Sequence, residues 1–152
     1  MILQRVNFEI AKLLKEKGFE WPCNSHYEVS LTEQVHEEDG TSGPFGWEKG
    51  EVNIQSDFFI NNHKDIDVSN KAWYLCARPT QALVCKWLRD VHGLCISTRP
   101  WLPDDSNPKG QYEYFIYKDM DEDNPLYEDD SFRDTYEQAE EAGIEYCLKN
   151  LM

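Results

Sequence analysis

The sequence predicts an α+β domain, a small antiparallel sheet with three helices packed mainly on one face. Three observations carry this. Apolar residues recur at helical spacing in three segments, each with its own start and stop signals. Between them, short stretches alternate apolar and polar residues with the period of a half-buried strand. The strands are joined by turn-rich connections that favour antiparallel pairing. With 152 residues, 40% hydrophobic and 13% aromatic, the chain holds enough core material for one domain, 1–152, burying roughly 70% of its unfolded surface.

The elements follow in order. Asn7 is a helix cap for a segment to about Lys17, with Ile10, Ala11, Leu13 and Leu14 on its apolar positions and Gly18 at its end. Val6 before the cap can pack back on Ala11 as a staple. Tyr27, Val29 and Leu31 alternate as a strand, and the polar, glycine-rich stretch 32–50 reads as a long loop or the tip of a hairpin. Val52 and Ile54 begin a second alternating run that continues into Phe58, Phe59 and Ile60 and ends at Asn61-Asn62, and Trp73 to Ala77 is a third candidate, either an edge strand or an extended approach to the next helix. The clearest helix is Thr80 to Val91, with Thr80 as cap, Leu83, Val84, Trp87, Leu88 and Val91 along one face, and Gly93 as its stop. Leu94–Thr98 and Gln111–Lys118 are strands joined by the Pro- and Asp-rich loop 99–110, and aromatics on both faces of the second place it centrally. After the acidic linker 119–134, Thr135 opens the last helix with Gln138 completing a capping box. Ala139, Gly143, Tyr146, Cys147 and Leu151 form its inward stripe.

Charge excludes some functions. The 29 Asp and Glu against 15 Lys and Arg give a formal charge of −14. Residues 104–141 hold 14 of these acids and three bases, a net −11, so the remainder is near neutral. Such a chain is repelled by phosphate backbones and anionic lipid, which argues against direct nucleic-acid or membrane binding. The N-terminus has no apolar signal core, no apolar run approaches the ~18 residues of a membrane span, and five cysteines without framework spacing suit a reducing compartment. A cytoplasmic protein is expected.

Several constellations resemble chemistry. Asp119, Asp121, Asp123 and Asp130 occupy positions one, three, five and twelve of a calcium-loop pattern, which would take Ca2+ or Mg2+. Against it, Asn124 stands where glycine is usual, Asp130 replaces a bidentate Glu, and a strand precedes the loop, so the same acids also read as a solvated turn. Cys23 and His26, with His36 and His63 distant, lack a second zinc-like pair. His92 reads as a charged cap on a helix C-terminus. Cys85 has no base nominated beside it, and no catalytic residue is assigned. The loop Gly40–Gly50 lacks the Lys-[Ser/Thr] ending of a phosphate loop. Its Phe45 and Trp47, like Trp101 and Leu102, either fold over the core or form a contact site. The acidic tract, through Asp104, Asp105, Asp129, Asp130, Glu137, Glu140 and Glu141, either solvates the chain or imitates a phosphate array for a basic groove.

The segments ARPTQALVCKWLRDVHGLCI (77–96), TYEQAEEAGIEYCLKNL (135–151) and FEIAKLLKEKGFEWPC (8–23) resemble small uncharacterised proteins of phages and prophage-like elements of gut Bacteroidales. The resemblance covers the helices and contains no catalytic motif. It implies a mobile-element accessory protein inside a bacterial cell. The expectation is a non-enzymatic protein that binds a host protein, including a nucleic-acid-binding one that it would inhibit. The alternatives are a calcium- or magnesium-binding module and a small virion-associated structural protein.

Overall fold

The computed structural model describes residues 4–34, 46–56, 59–61, 66–68, 71–103, 110–119, 121, 123–129 and 131–152, with backbone alone at 29–34, 46–51, 66–68 and 71–74. In chain order the elements are α1 (Phe8–Glu16), β1 (His26–Gln34), β2 (Gly46–Gln55), β3 (Ile66–Val68), β4 (Lys71–Ala77), α2 (Gln81–His92), β5 (Leu94–Trp101), β6 (Gln111–Lys118), β7 (Pro125–Glu128) and α3 (Tyr136–Tyr146), which continues as a π-helical segment Cys147–Leu151. The α+β class holds, but the strands divide between two antiparallel sheets, β2-β1-β4-β3 and β5-β6-β7. Two compact units result, one of residues 20–78 and one of residues 1–19 and 79–152. All three helices belong to the second.

In the helical unit, local signals work as the sequence implies. Asn7 Oδ1 accepts the Ile10 amide at 3.0 Å, and Val6 and Ala11 are both fully buried on either side of the cap. Thr80 Oγ1 accepts from Leu83 N and Thr135 Oγ1 from Gln138 N, each at 3.2 Å. Gly93 ends α2 at φ +66°, where its amide reaches the Leu88 and Arg89 carbonyls. The core between the elements contains Ile10, Leu14, Phe19, Val84, Leu88, Ile116, Ile144 and Leu148, all essentially inaccessible. Each such side chain contributes about 1.5–3 kcal/mol through burial. Phe19 meets Trp87 edge-on, ring centroids 5.2 Å apart.

Three expectations about this unit are corrected. Val91, placed on the inward face of α2, is exposed, while Gln81 at the other end is buried. Leu151, placed on the inward stripe of α3, is also exposed, and Leu148 is buried instead. The cause is the π-helical segment, whose wider turn rotates the side chains after Tyr146 out of α-helical phase. The linker 119–134 contains a strand, β7, paired with Phe115–Tyr117 of β6, which makes β6 central as expected.

In the other unit, β1 and β2 extend into the stretch read as a loop, pairing Gln34 with Gly46. Backbone pairing needs no apolar side chains, so alternation alone set the limits too short. The second run stops at Gln55, and Phe59 instead makes a two-way backbone bridge with Cys23, each bond 2.9 Å. Asn61, expected to end a strand, is buried and its Oδ1 accepts the Ala77 amide at 2.7 Å. The third strand is interior, flanked by β1 and β3.

Candidate functional site

The acidic tract is not one solvated face. Asp129 is only 7% exposed. Its amide donates to Tyr114 O at 3.1 Å, and its carboxylate lies 3.4 Å from Arg133 Nη1. It serves the interior of the helical unit and is unsuited to the partner surface expected of it. Glu141 accepts from both Asn7 Nδ2, at 2.8 Å, and Asn7 N, at 3.3 Å, and so ties α3 to the start of α1. Glu140 accepts the Tyr136 hydroxyl at 3.1 Å and also bonds the Cys85 thiol. Glu137 stands exposed, its backbone oxygen taking Gln81 Nε2 at 3.3 Å. Asp104, Asp105 and Asp130 lie outside the described residues.

Of the calcium-loop residues, the described ones, Asp119, Asp121 and Asp123, are not gathered round a point. Asp121 carboxylate oxygens accept from Asp123 N and Asn124 Nδ2, closing a small turn. Asp119 sits at φ +49° with its amide on Gly93 O at 2.7 Å. Positions seven to ten of the pattern are the extended strand β7, so the chain cannot curl about an ion there. Among the described residues no group of three His, Cys, Asp or Glu could hold a metal. His26 stacks on Phe59 at 4.4 Å, and His36 and His63 lie outside the described residues.

His92 is not the cation at the end of α2. Its ring packs edge-on against Trp87, 4.6 Å between centroids, and burial, aided by Lys118, lowers its pKa. Lys118 Nζ takes the role instead, donating to His92 O at 2.5 Å. Cys85 is no nucleophile. Burial, and then the Glu140 carboxylate, raise its pKa far above the ordinary thiol range. Burial in turn raises Glu140, with Tyr136 and Cys85 opposing through hydrogen bonds. Burial and Glu140 push the Tyr136 hydroxyl up to about 12. Cys85 and Tyr136 thus hold their protons and donate them to Glu140, so this contact does not activate the thiol.

Aromatic residues form the conspicuous surface. Trp101, at the end of β5, is 48% exposed and its ring lies 5.5 Å from that of Phe132, which is 41% exposed. Leu102 follows at 75% exposed. Tyr112 joins the patch to α3: its backbone pairs with Arg133 through two 2.8 Å bonds, and its ring meets Tyr136 edge-on at 6.3 Å. Tyr136 is itself 44% exposed. Asp134 and Glu137 stand in solvent in the same stretch of chain. Trp47 lies in β2 opposite Glu33, in the other unit. Of the two readings the sequence left open for Trp101, over the core or on the surface, the structure has the second; Phe132, a lone large aromatic within an acidic run, carries no signal in the sequence beyond its type.

Compared with protein-family models, curated proteins and solved structures, the chain matches none. Among the described residues no helix is long and apolar enough to cross a membrane.

Proposed function

We propose that the chain is a binding protein of a phage or mobile element whose Trp101–Phe132 patch engages a basic surface on a host protein. The observation that supports this best is the patch itself, the Trp101 and Phe132 rings in contact and half exposed, with exposed Leu102 and Tyr136 close by along the chain, next to its most acidic part. Scattered exposed apolar residues are ordinary, whereas contiguous aromatic clusters mark contact sites. Trp and Tyr are enriched among the residues that dominate interface energies. The surrounding acids supply charge complementary to a cationic partner and steer its approach. A nucleic-acid-binding host protein fits that charge because its groove is basic. Asp129, Glu140 and Glu141 stand outside the contact set, engaged within the fold, and the solvent-facing Asp134 and Glu137 take their place. The resemblance of the helices to phage-associated proteins favours a bacterial host as the setting.

Retention from bacterial lysate on immobilised wild type and on Trp101→Ala/Phe132→Ala tests the proposal at two ionic strengths, about 50 mM and about 500 mM. Basic proteins should be held at low salt, released at high salt and lost from the double variant. A double variant that retains the same proteins as the wild type refutes it.

A further inference from the structure

A second feature of the helical unit is a cleft of about 450 Å3 beside the edge strand β5, lined by Arg89, Ser97, Thr98, Arg99, Tyr117 and Tyr136 from α2, β5, β6 and the start of α3. Its volume is that of a small-molecule site. We propose that this cleft binds a small organic oxyanion, a phosphate or carboxylate group carried on a compact body. The inference is independent of the aromatic patch, which it meets only at Tyr136.

The cations carry the argument. Arg89 comes from α2 and Arg99 from β5, and the left-handed turn at Gly93 folds these elements back so that both line one cleft. Arg99 is held but not neutralised: its Nη2 donates to the Tyr117 hydroxyl at 2.8 Å, and its guanidinium lies over the Phe115 ring at 4.5 Å. Among the described residues no carboxylate forms an ion pair with Arg99. Glu113 faces it across the strand register without pairing. Arg89 engages Asp90 through Nε alone, at 3.1 Å, leaving its terminal nitrogens available. Two guanidinium forks and nearby hydroxyls form a donor set suited to bidentate capture of a carboxylate or phosphate. In a chain of net charge −14, two arginines in one cleft are not explained by solubility.

Thr98 gives an independent indication. Its Oγ1 is buried and, among the described residues, has no hydrogen-bond partner. A buried hydroxyl left unpaired costs about 1–3 kcal/mol, and a ligand oxygen would offset this once a small shift of the cleft wall exposes it. Glu140, which reaches the cleft residues Tyr136 and Cys85, is occupied by both, and Asp90 faces the Nε side of Arg89.

Titration of the full chain with phenyl phosphate and with benzoate, followed by NMR shift changes and calorimetry, tests the inference and distinguishes phosphate from carboxylate recognition. Saturable binding of either probe is expected, weakened about tenfold or more by Arg89→Gln and by Arg99→Gln. Lys86→Gln, an exposed change outside the cleft, should bind as the wild type does. Thr98→Val removes a hydroxyl that has no partner among the described residues, so it should keep or raise thermal stability while weakening the probe about threefold or more. No saturable binding of either probe up to about 10 mM, or binding that both arginine variants leave unchanged, overturns the proposal.

Discussion

Replacing Gly143 by alanine sets two effects of opposite sign against each other. On an open helix face the change stabilises by about 1 kcal/mol, because alanine has less backbone freedom to lose on folding. In α3, however, a Cβ at this position would lie 2.9 Å from Ile96 Cγ2 and 3.1 Å from Tyr114 Cδ2. Carbon atoms in comfortable contact are roughly 3.5–4.0 Å apart. Ile96 cannot swing its methyl aside, since branching at Cβ restricts χ1, and the buried Tyr114 ring is backed by Tyr127 at 5.9 Å. The helix must therefore lift from β5 and β6, and overpacking of this kind costs about 1–3 kcal/mol. The net expectation is a loss of about 0–2 kcal/mol for Gly143→Ala, and about 3 kcal/mol or more for Gly143→Val, which adds bulk and restricts its own rotamer. Urea unfolding followed by far-ultraviolet circular dichroism measures both. In the double variant with Ile96→Ala the alanine penalty should shrink, because the two sites share one contact. An alanine variant about 1 kcal/mol more stable than the wild type would refute the close approach of α3 to the sheet.

Further expectations follow from the titrating groups and caps. His92 has a lowered folded pKa, so its contribution is present above the unfolded value of about 6.5 and is lost as pH falls through the folded one. His92→Phe should therefore flatten the acid side of the melting-temperature profile, and an unchanged slope between pH 7 and pH 5 would contradict the assignment. Glu140 has a raised folded pKa, so its contribution is present below about 4.5 and is lost as pH rises through the folded value. Glu140→Gln should raise the melting temperature at pH 7 and leave it unchanged near pH 4; a lower value at pH 7 would count against it. Cys85 should react with iodoacetamide about tenfold or more slowly than free cysteine at pH 8, read by mass spectrometry, because its thiol stays protonated. Thr135→Ala should cost about 1 kcal/mol by urea unfolding through loss of the α3 cap, and no change would place the start of the helix elsewhere.

The parts legible in the sequence are those decided locally. A side-chain oxygen three residues before the amide it accepts is visible at Asn7, Thr80 and Thr135, and so is the left-handed stop at Gly93. Partner choice between strands is decided by distant chain. Nothing near Pro125–Glu128 announces β7, whose Tyr127 ring stacks on Tyr146 at 3.8 Å, and no periodicity separates two sheets from one. The same limit applies to the site. Trp101 stood out between prolines, but its pairing with Phe132 depends on the return of the chain beside Tyr112. The Cys85–Glu140 contact joins two helices remote in sequence, and Arg89 and Arg99, from a helix and the strand after it, come to line one cleft only through the fold. Charge density identified the acidic region correctly as a composition. Only packing distinguishes Asp129, enclosed, from Asp134 and Glu137 in solvent.

The dependence of partner affinity on salt, measured side by side for wild type and Trp101→Ala/Phe132→Ala with the host protein captured at low salt, tests the proposed function most directly. Steering by the acids predicts that affinity falls steeply with ionic strength in both proteins, while loss of the two rings displaces the variant's line downward by about tenfold or more at every salt concentration. Coincident lines, or an affinity indifferent to salt, would contradict an acidic surface that binds through its aromatic patch.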